Sequence, residues 1–467
     1  MRIKVPFGLH AYEDRSLPVN AQKLVNFFVE AQPQDSKNNP ILNNTPGTTL
    51  FATVGSGPIY GMYVLDNILY VVSGESLYSV TTTGITTFLG QIVGNARCSM
   101  SDNRFELCIV NGHKGYIYTP STTTLTAISD PAFYPTTNRV AYLQGRFIFP
   151  IPNSNQFFCS NYQDGLTYDA LNYENVLTKP GDVVSEIADH GELWIFGIKG
   201  AEIWVYNRDE SSFPFSRIDG SYVEKGCAAA HSIARLENSF YWLGDDLVIY
   251  RAQGYIPNRI STHAIERKIK SYGDVSDAFG LTFVEEGHYF YELTFPDHES
   301  WRYDATTGLW HQPQSGTSGR YHANAHEFFN NRNLIGDYRN GNIYELSMNQ
   351  YTDAGDRIYR IASTPHIHSG RQRTVMDELN IDIESGTGLT TGQGNKPQVM
   401  LRYSDDGGRT WSNERWANMG PIGEYSRRVK FHQLGMFYQR MFQLTISDPI
   451  KPVIIDAFAD VEAEEGR

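Results

Sequence analysis

The chain has 467 residues, too many for one typical core, so two or three domains are expected. Hydrophobic residues make up 40% and aromatics 13%, with 41 Gly and 21 Pro; aromatic strands broken by Gly, Asn and Pro turns are an all-β composition. A formal net charge of −13 argues against sequence-independent binding of a nucleic-acid backbone, which needs a basic footprint.

In chain order, residues 1–50 stand apart. The opening MRIKVPFGLHAYEDRS has no apolar h-region, so no secretory signal is expected. Within LPVNAQKLVNFFVEAQPQ, Leu24, Asn26 and Phe28 alternate with Val25, Phe27 and Val29, which predicts an extended segment. Such an arm cannot bury itself and is expected to pack on the body or on a neighbour. Leu24, Phe27 and Phe28 are therefore candidate interface residues.

Residues 51–350 carry a repeat of extended segment, Asn/Asp/Gly turn, aromatic strand, turn and third strand. IYGMYVLDNILYVVSGESLYSV (59–80) and SEIADHGELWIFGIKGAEIWVY (185–206) are two such units. The middle strands centre on Tyr70, Ile109, Phe147, Trp194, Tyr241, Tyr289 and Leu334. Their spacing is roughly 40 to 48 residues, the period of four-stranded propeller blades. Each blade exposes an apolar face that only the next can cover, so a closed ring follows. Seven blades are expected, six if a terminal unit belongs elsewhere; a chain of β-sandwiches is the alternative.

One helix interrupts the repeat at STHAIERKIKSYG (261–273), with Thr262 as its cap and Ile265, Ile269 and Tyr272 on one face. It is expected to dock on the propeller. From 351 to 467 the period stops, and alternating strands such as VMDELNIDIES and QVMLRYSDD predict a separate antiparallel, sandwich-like β domain for contacting neighbours.

No constellation announces catalysis. Ser404-Asp405-Asp406-Gly407-Gly408-Arg409-Thr410-Trp411 resembles the Asp-box of sialidases, a structural hairpin turn in which Asp406 accepts backbone N–H bonds and Trp411 packs beneath. Ser404, Asp406, Gly408, Thr410 and Trp411 are its members, and the reading is a stiff hairpin. The adjacent acids Glu285-Glu286 and Asp245-Asp246 fall in blade turns, where neighbours point apart, rather than across a pocket as glycoside hydrolysis requires. His366-x-His368 on a strand, and His322 with His326 on one side of a helix, lack the Glu of H-E-x-x-H. No P-loop or nucleophile elbow occurs, and no cofactor or metal is expected. The cysteines Cys98, Cys108, Cys159 and Cys227 have no C-x-x-C spacing. Cys98 and Cys108 can face each other across a hairpin, but free thiols of a reducing cytosol are favoured. No stretch approaches the ~18 apolar residues that span a bilayer. Two basic clusters, Arg371 with Arg373 and Arg427 with Arg428, stand out in the acidic background. They fit either interface ion pairs to an acidic neighbour or solvated strand ends.

Taken together, LPVN (17–20), TPG (45–47), VNGHKGYIY (110–118), AIERKIKSY (264–272) and LRYSDDGGRTW (401–411), in this order, resemble the tail accessory factors of short-tailed bacteriophages, also called packaged-DNA stabilisation proteins. The resemblance runs nearly end to end. It implies a structural tail subunit in the virion, assembled in the host cytoplasm. Such a subunit forms a homo-hexameric ring or nozzle below the portal and its adaptor, retains packaged DNA and lets it pass. It also carries the tail fibre, tailspike or needle. A mutual-packing role for the arm follows: without residues 1–45 a soluble propeller is expected that no longer assembles. A glycan-binding or glycan-degrading tail propeller is the competing function, and a secreted lectin-like β protein a more distant one.

Overall fold

Two-residue turns set the blade geometry. The first hairpin of six blades closes on a pair of residues with positive φ, from Asp66-Asn67 in the first blade to Asn330-Asn331 in the last. Two-residue turns of this kind match the right-handed twist of the strands they join. The computed structural model describes residues 1–207, 213–370 and 372–463. Each of six contiguous antiparallel sheets has four strands in sequence order, together spanning 59–311. The second strand of each blade, such as Leu107–Val110 or Glu192–Gly197, is almost wholly buried, because neighbouring blades cover both of its faces. Its near-continuous apolar sequence follows from that.

The seventh blade is assembled from both ends of the repeat region. It takes Ala323–Phe329, Arg332–Asp337 and Asn342–Ser347 in sequence, and its next strand is Gly47–Thr53, paired antiparallel with Asn342–Ser347. Phe329, Leu334 and Ile343 of this blade share a core with Ile59, Leu69 and Val71 of the first. The ring therefore has seven blades, as the spacing predicts, and the segment before blade 1 fastens it shut.

The C-terminal strands form a two-sheet sandwich, and the first 50 residues supply part of both sheets. Arg2–Lys4 pairs with Ile454–Ala463, and so does Ile41–Asn44, which in turn holds Phe27–Glu30. Leu24–Val25 pairs with Arg360–Ser363 in the second sheet. Of the two expectations, the segment packs on the chain's own body rather than on a neighbour. Leu24, Phe27 and Phe28 are buried inside the chain itself, which removes them as interface residues. Four short strands that cannot bury themselves alone do so by completing sheets whose other strands lie more than 300 residues away.

That N-terminal segment also joins the two bodies. Leu24 and Phe27 lie in one core with Leu379, Leu444 and Ile446 of the sandwich and Tyr291, Leu293 and Trp310 of blade 6. Phe28 packs edge-on against Phe290 of blade 6. Between them Asn26, buried at φ 52°, donates from Nδ2 to the carbonyls of Gln314 (3.0 Å) and Tyr359 (2.9 Å) and accepts from the Gln314 N–H (3.0 Å). The helix His263–Lys270 (α1) begins at Thr262, whose hydroxyl accepts from Ile265 N–H. It buries Ile265 and Ile269 in the same core.

Candidate functional site

The outermost strands of the two sandwich sheets lie side by side. Val429–Phe437 is the edge of one sheet and Arg415–Asn418 the edge of the other. Between them runs an open groove of about 730 Å3, lined by Trp416, Asn418, Glu424, Arg427, Arg428 and Lys430 among others. Arg415 fixes its geometry by donating from Nη1 to the carbonyls of His432 (2.8 Å) and Gln433 (3.0 Å) on the opposite strand. Lys430 is engaged by Glu378 at 2.8 Å, and His432 lies 3.3 Å from the same carboxylate. Arg427 and Arg428 are exposed, and among the described residues neither has a carboxylate within ion-pair distance. Two aromatic side chains stand out from this edge, Trp416 at 57% and Tyr425 at 76% exposure. Exposed Trp, Tyr and Arg are the residue types that dominate protein interfaces, and cations along an open sheet edge also guard it against unwanted strand pairing.

The structure separates the two basic clusters. Arg373 is exposed just before Thr374, which pairs with Phe437, whereas Arg427 and Arg428 precede Val429, which pairs with Ile381. Seven residues of strand, roughly 23 Å, lie between the two ends. Arg371 lies outside the described residues.

The Asp-box residues come together in the hairpin between Gln398–Ser404 and Arg415–Asn418. Asp406 accepts from the N–H groups of Arg409 (3.0 Å) and Thr410 (2.9 Å), from the Thr410 hydroxyl (2.6 Å) and from the Ser404 hydroxyl (2.7 Å). These donors hold its carboxyl well below the usual carboxylate range, the Thr410 hydroxyl most of all. The Gly408 N–H donates to Ser404 Oγ (2.8 Å), with Gly408 at φ +89° and Trp411 close by. Arg402 lies over the Trp411 ring. Sequence reasoning missed the adjacent clamp, in which Asp405 takes a bidentate pair from the buried Arg440 (2.6 and 2.7 Å) while Arg440 lies over Tyr403. A lone Arg in an apolar strand, RMFQLTI (440–446), was the available signal.

Most of the catalytic and metal candidates are engaged structurally. Asp245 accepts from Gly226 N–H and Lys199, and Asp246 from Lys225 and Tyr250. Glu285 accepts from Asn333. His326 sits on a strand, with His322 just before it, not on a helix. Ser315, His322 and Asp353 do meet, but the Ser315 hydroxyl (2.6 Å) and Asp353 (3.9 Å) both approach Nδ1, and Nε2 has no partner. A relay needs the base between nucleophile and acid, on opposite ring nitrogens. Among the described residues no group of three or more His, Cys, Asp or Glu is placed to hold a metal. All four cysteines are free thiols. No described helix is long and apolar enough to cross a membrane.

A seven-bladed ring fused to a sandwich has a counterpart among protein families. A model described as the β-propeller of bacteriophage P22 Gp10 matches residues 1–351, and one described as the β-sandwich of the same protein matches residues 359–462. The chain belongs to the bacteriophage P22 Gp10 family. It is accordingly a structural protein of a short phage tail, located in the virion, and membership of such a family weighs against an enzyme. The propeller model of the Gp10 family begins at residue 1, so it includes strands that the fold places in the sandwich. No curated protein matches the chain significantly in sequence. Among solved structures, streptogramin B lyase is similar at 8% identity and a TM-score of 0.45, covering 65% of this chain and 98% of its own. The extracellular domain of a one-component system from B. thetaiotaomicron reaches 11% identity and 0.44 over 92% of this chain and 62% of its own. The N-terminal domain of Nup159 gives 8% and 0.41, covering 70% and 99%. At these scores the likenesses say nothing of what the chain does.

Proposed function

We propose that this Gp10-family chain forms a homo-hexameric ring or nozzle below the portal and its adaptor. In that position it retains packaged DNA, lets it pass during ejection and anchors the distal fibre, tailspike or needle. The observation that carries the reading is the groove between the two sandwich edges. There Arg427 and Arg428 face outward beside Trp416 and Tyr425 without a carboxylate of their own. On a chain of net charge −13, an unpaired basic, aromatic edge is complementary to acidic surface elsewhere on a second copy. A contact between two different patches is the head-to-tail kind that closes into rings. Six acidic copies around a channel would repel the DNA backbone and let it slide without sticking.

The reading is tested with phage particles assembled on Arg427→Glu/Arg428→Glu chains. Filled heads that lose their DNA, with few infectious particles, are expected. Particles that hold their genomes and infect as the wild type does would contradict the proposal. For the channel, carboxylate-to-Lys reversals should slow DNA ejection, and unchanged ejection kinetics would count against it.

A further inference from the structure

Inner strands of a propeller run side by side around the axis, so the residues that lead into them gather at one mouth of the tunnel. In this chain those positions are unusually basic. Arg97 precedes the inner strand of blade 2, Arg139 that of blade 3 and His231 that of blade 5. Arg320 precedes that of blade 7. Arg97 does not stay with its own blade. Its guanidinium lies 3.4 Å from the ring centroid of Phe279, in blade 6 on the far side of the ring. From there Nη1 donates to the Asn324 carbonyl (2.6 Å) and Nη2 to Asn324 Oδ1 (2.8 Å), in blade 7. The side chain thus crosses the axis.

Arg320 meets it there, donating from Nη2 to the same Asn324 Oδ1 at 3.4 Å, with its guanidinium 3.7 Å from the Tyr338 ring. One amide oxygen therefore holds two cations together. Arg139 enters from the same mouth, its Nη2 reaching the Glu186 carbonyl at 3.4 Å. The Nε atoms of Arg139 and Arg320 are buried and have no partner. Among the described residues, none of these three arginines has a carboxylate within ion-pair distance. Their charges also act on the titration of groups at this mouth. Burial and then Arg320 hold Arg97 down to about 9, and burial followed by Arg139 and Arg97 keeps His231 neutral.

Nearby acids approach the cluster without pairing directly with it. Glu186 is 1% exposed with both carboxyl oxygens unpartnered, and burial pushes it up to about 8, so it is mostly protonated at neutral pH. Asp337 is taken by Arg339 at 2.7 Å. Asp277 and Asp297 are exposed and lie beyond ion-pair distance. Arginine does not lose its proton near neutral pH, so these partly exposed guanidiniums stay charged and repel one another, with no carboxylate in direct contact. A bound anion offering several acceptor oxygens resolves both problems.

We propose that this mouth of the propeller tunnel binds a small tetrahedral oxyanion of the phosphate or sulfate class between Arg97 and Arg320, with Arg139 at the same mouth. The site is independent of the assembly groove, which lies on the sandwich. It is tested on the full chain by calorimetric titration with inorganic phosphate and by thermal unfolding in phosphate against chloride at matched ionic strength. One phosphate per chain and a saturable rise in Tm are expected. Both should be lost in Arg97→Met and in Arg320→Met, each compared with its own melting temperature in chloride. A rise that does not saturate, or that is equal in the variants, is the general exclusion effect of such salts and overturns the site. Acetate acting as well as phosphate would assign the mouth to a carboxylate, and an oligonucleotide without terminal phosphate that displaces phosphate would assign it to a DNA backbone. Either result overturns the free oxyanion. Should a variant fail to fold, wild-type crystals grown in tungstate decide: density between the Arg97 and Arg320 guanidiniums supports the site, and an empty mouth overturns it.

Discussion

The propeller and the sandwich solve the same problem, covering the apolar faces of antiparallel sheets, with opposite use of the chain. Six of the seven blades are each made from one continuous stretch of sequence, and only the last borrows a strand, Gly47–Thr53. In the sandwich both sheets mix strands from the two ends of the chain. Local construction leaves a period that can be read. Non-local construction leaves only short apolar stretches whose partners are unnamed. The difference also predicts where the molecule is fragile, because the same N-terminal segment closes the sandwich and rivets it to blade 6.

The largest effect should come from removing residues 1–45. The deletion takes Arg2–Lys4, Leu24–Val25, Phe27–Glu30 and Ile41–Asn44 out of the sandwich and strips its apolar faces. Loss of cooperative thermal unfolding and aggregation on expression are expected. A soluble chain that melts like the wild type would break the comparison at its root. This outcome replaces the soluble, unassembled propeller expected from sequence, because the segment is internal structure and not a linker to a neighbour.

Within the propeller the most costly single change should be Arg302→Ala. Arg302 and Glu292 of blade 6 are buried together at 2.5 Å, and Arg302 lies over Phe283, Phe290 and Tyr321. Stranding a buried carboxylate costs about 3–5 kcal/mol, readable by urea denaturation. At the junction, Asn26→Ala leaves the Gln314 N–H and the carbonyls of Gln314 and Tyr359 without their partner. We expect about 2–3 kcal/mol, together with separate melting of propeller and sandwich. A single unchanged transition would show that apolar packing alone joins them.

Asp406→Ala should act only on the sandwich hairpin, and in a pH-dependent way. Its hydrogen bonds keep the folded-state carboxyl below its ordinary value of 3.8, so their contribution is fully present above that pH. It is lost as the pH falls through the folded value. The Tm gap between wild type and variant should therefore be open at pH 7 and narrow in strong acid; a gap that is constant with pH would contradict the turn's role.

How much was legible follows the same divide. Tyr70, Ile109, Phe147, Trp194, Tyr241, Tyr289 and Leu334 each fall on the second strand of a blade, because blade-to-blade burial forces apolar residues there at a fixed interval. Thr262, Ile265 and Ile269 marked the helix for equally local reasons. Phe27 and Phe28 were recognised as apolar and extended, but which surface would cover them depended on strands from Arg360 to Ala463. Of the candidate site, Arg427 and Arg428 were visible as charge against an acidic background. Trp416 and Tyr425 were not, since an aromatic residue in or beside a strand reads as core until the fold shows it at an edge. The tunnel arginines sit one per blade, so no sequence window contains two of them.

The most direct measurement is native mass spectrometry of the purified chain beside Arg427→Glu/Arg428→Glu. Both side chains are exposed, so the monomers should differ in stability by no more than about 0.5 kcal/mol. The account predicts a six-copy ring for the wild type and folded monomers for the variant. Rings of equal stability from both chains would contradict the assignment of the sandwich groove as the assembly surface.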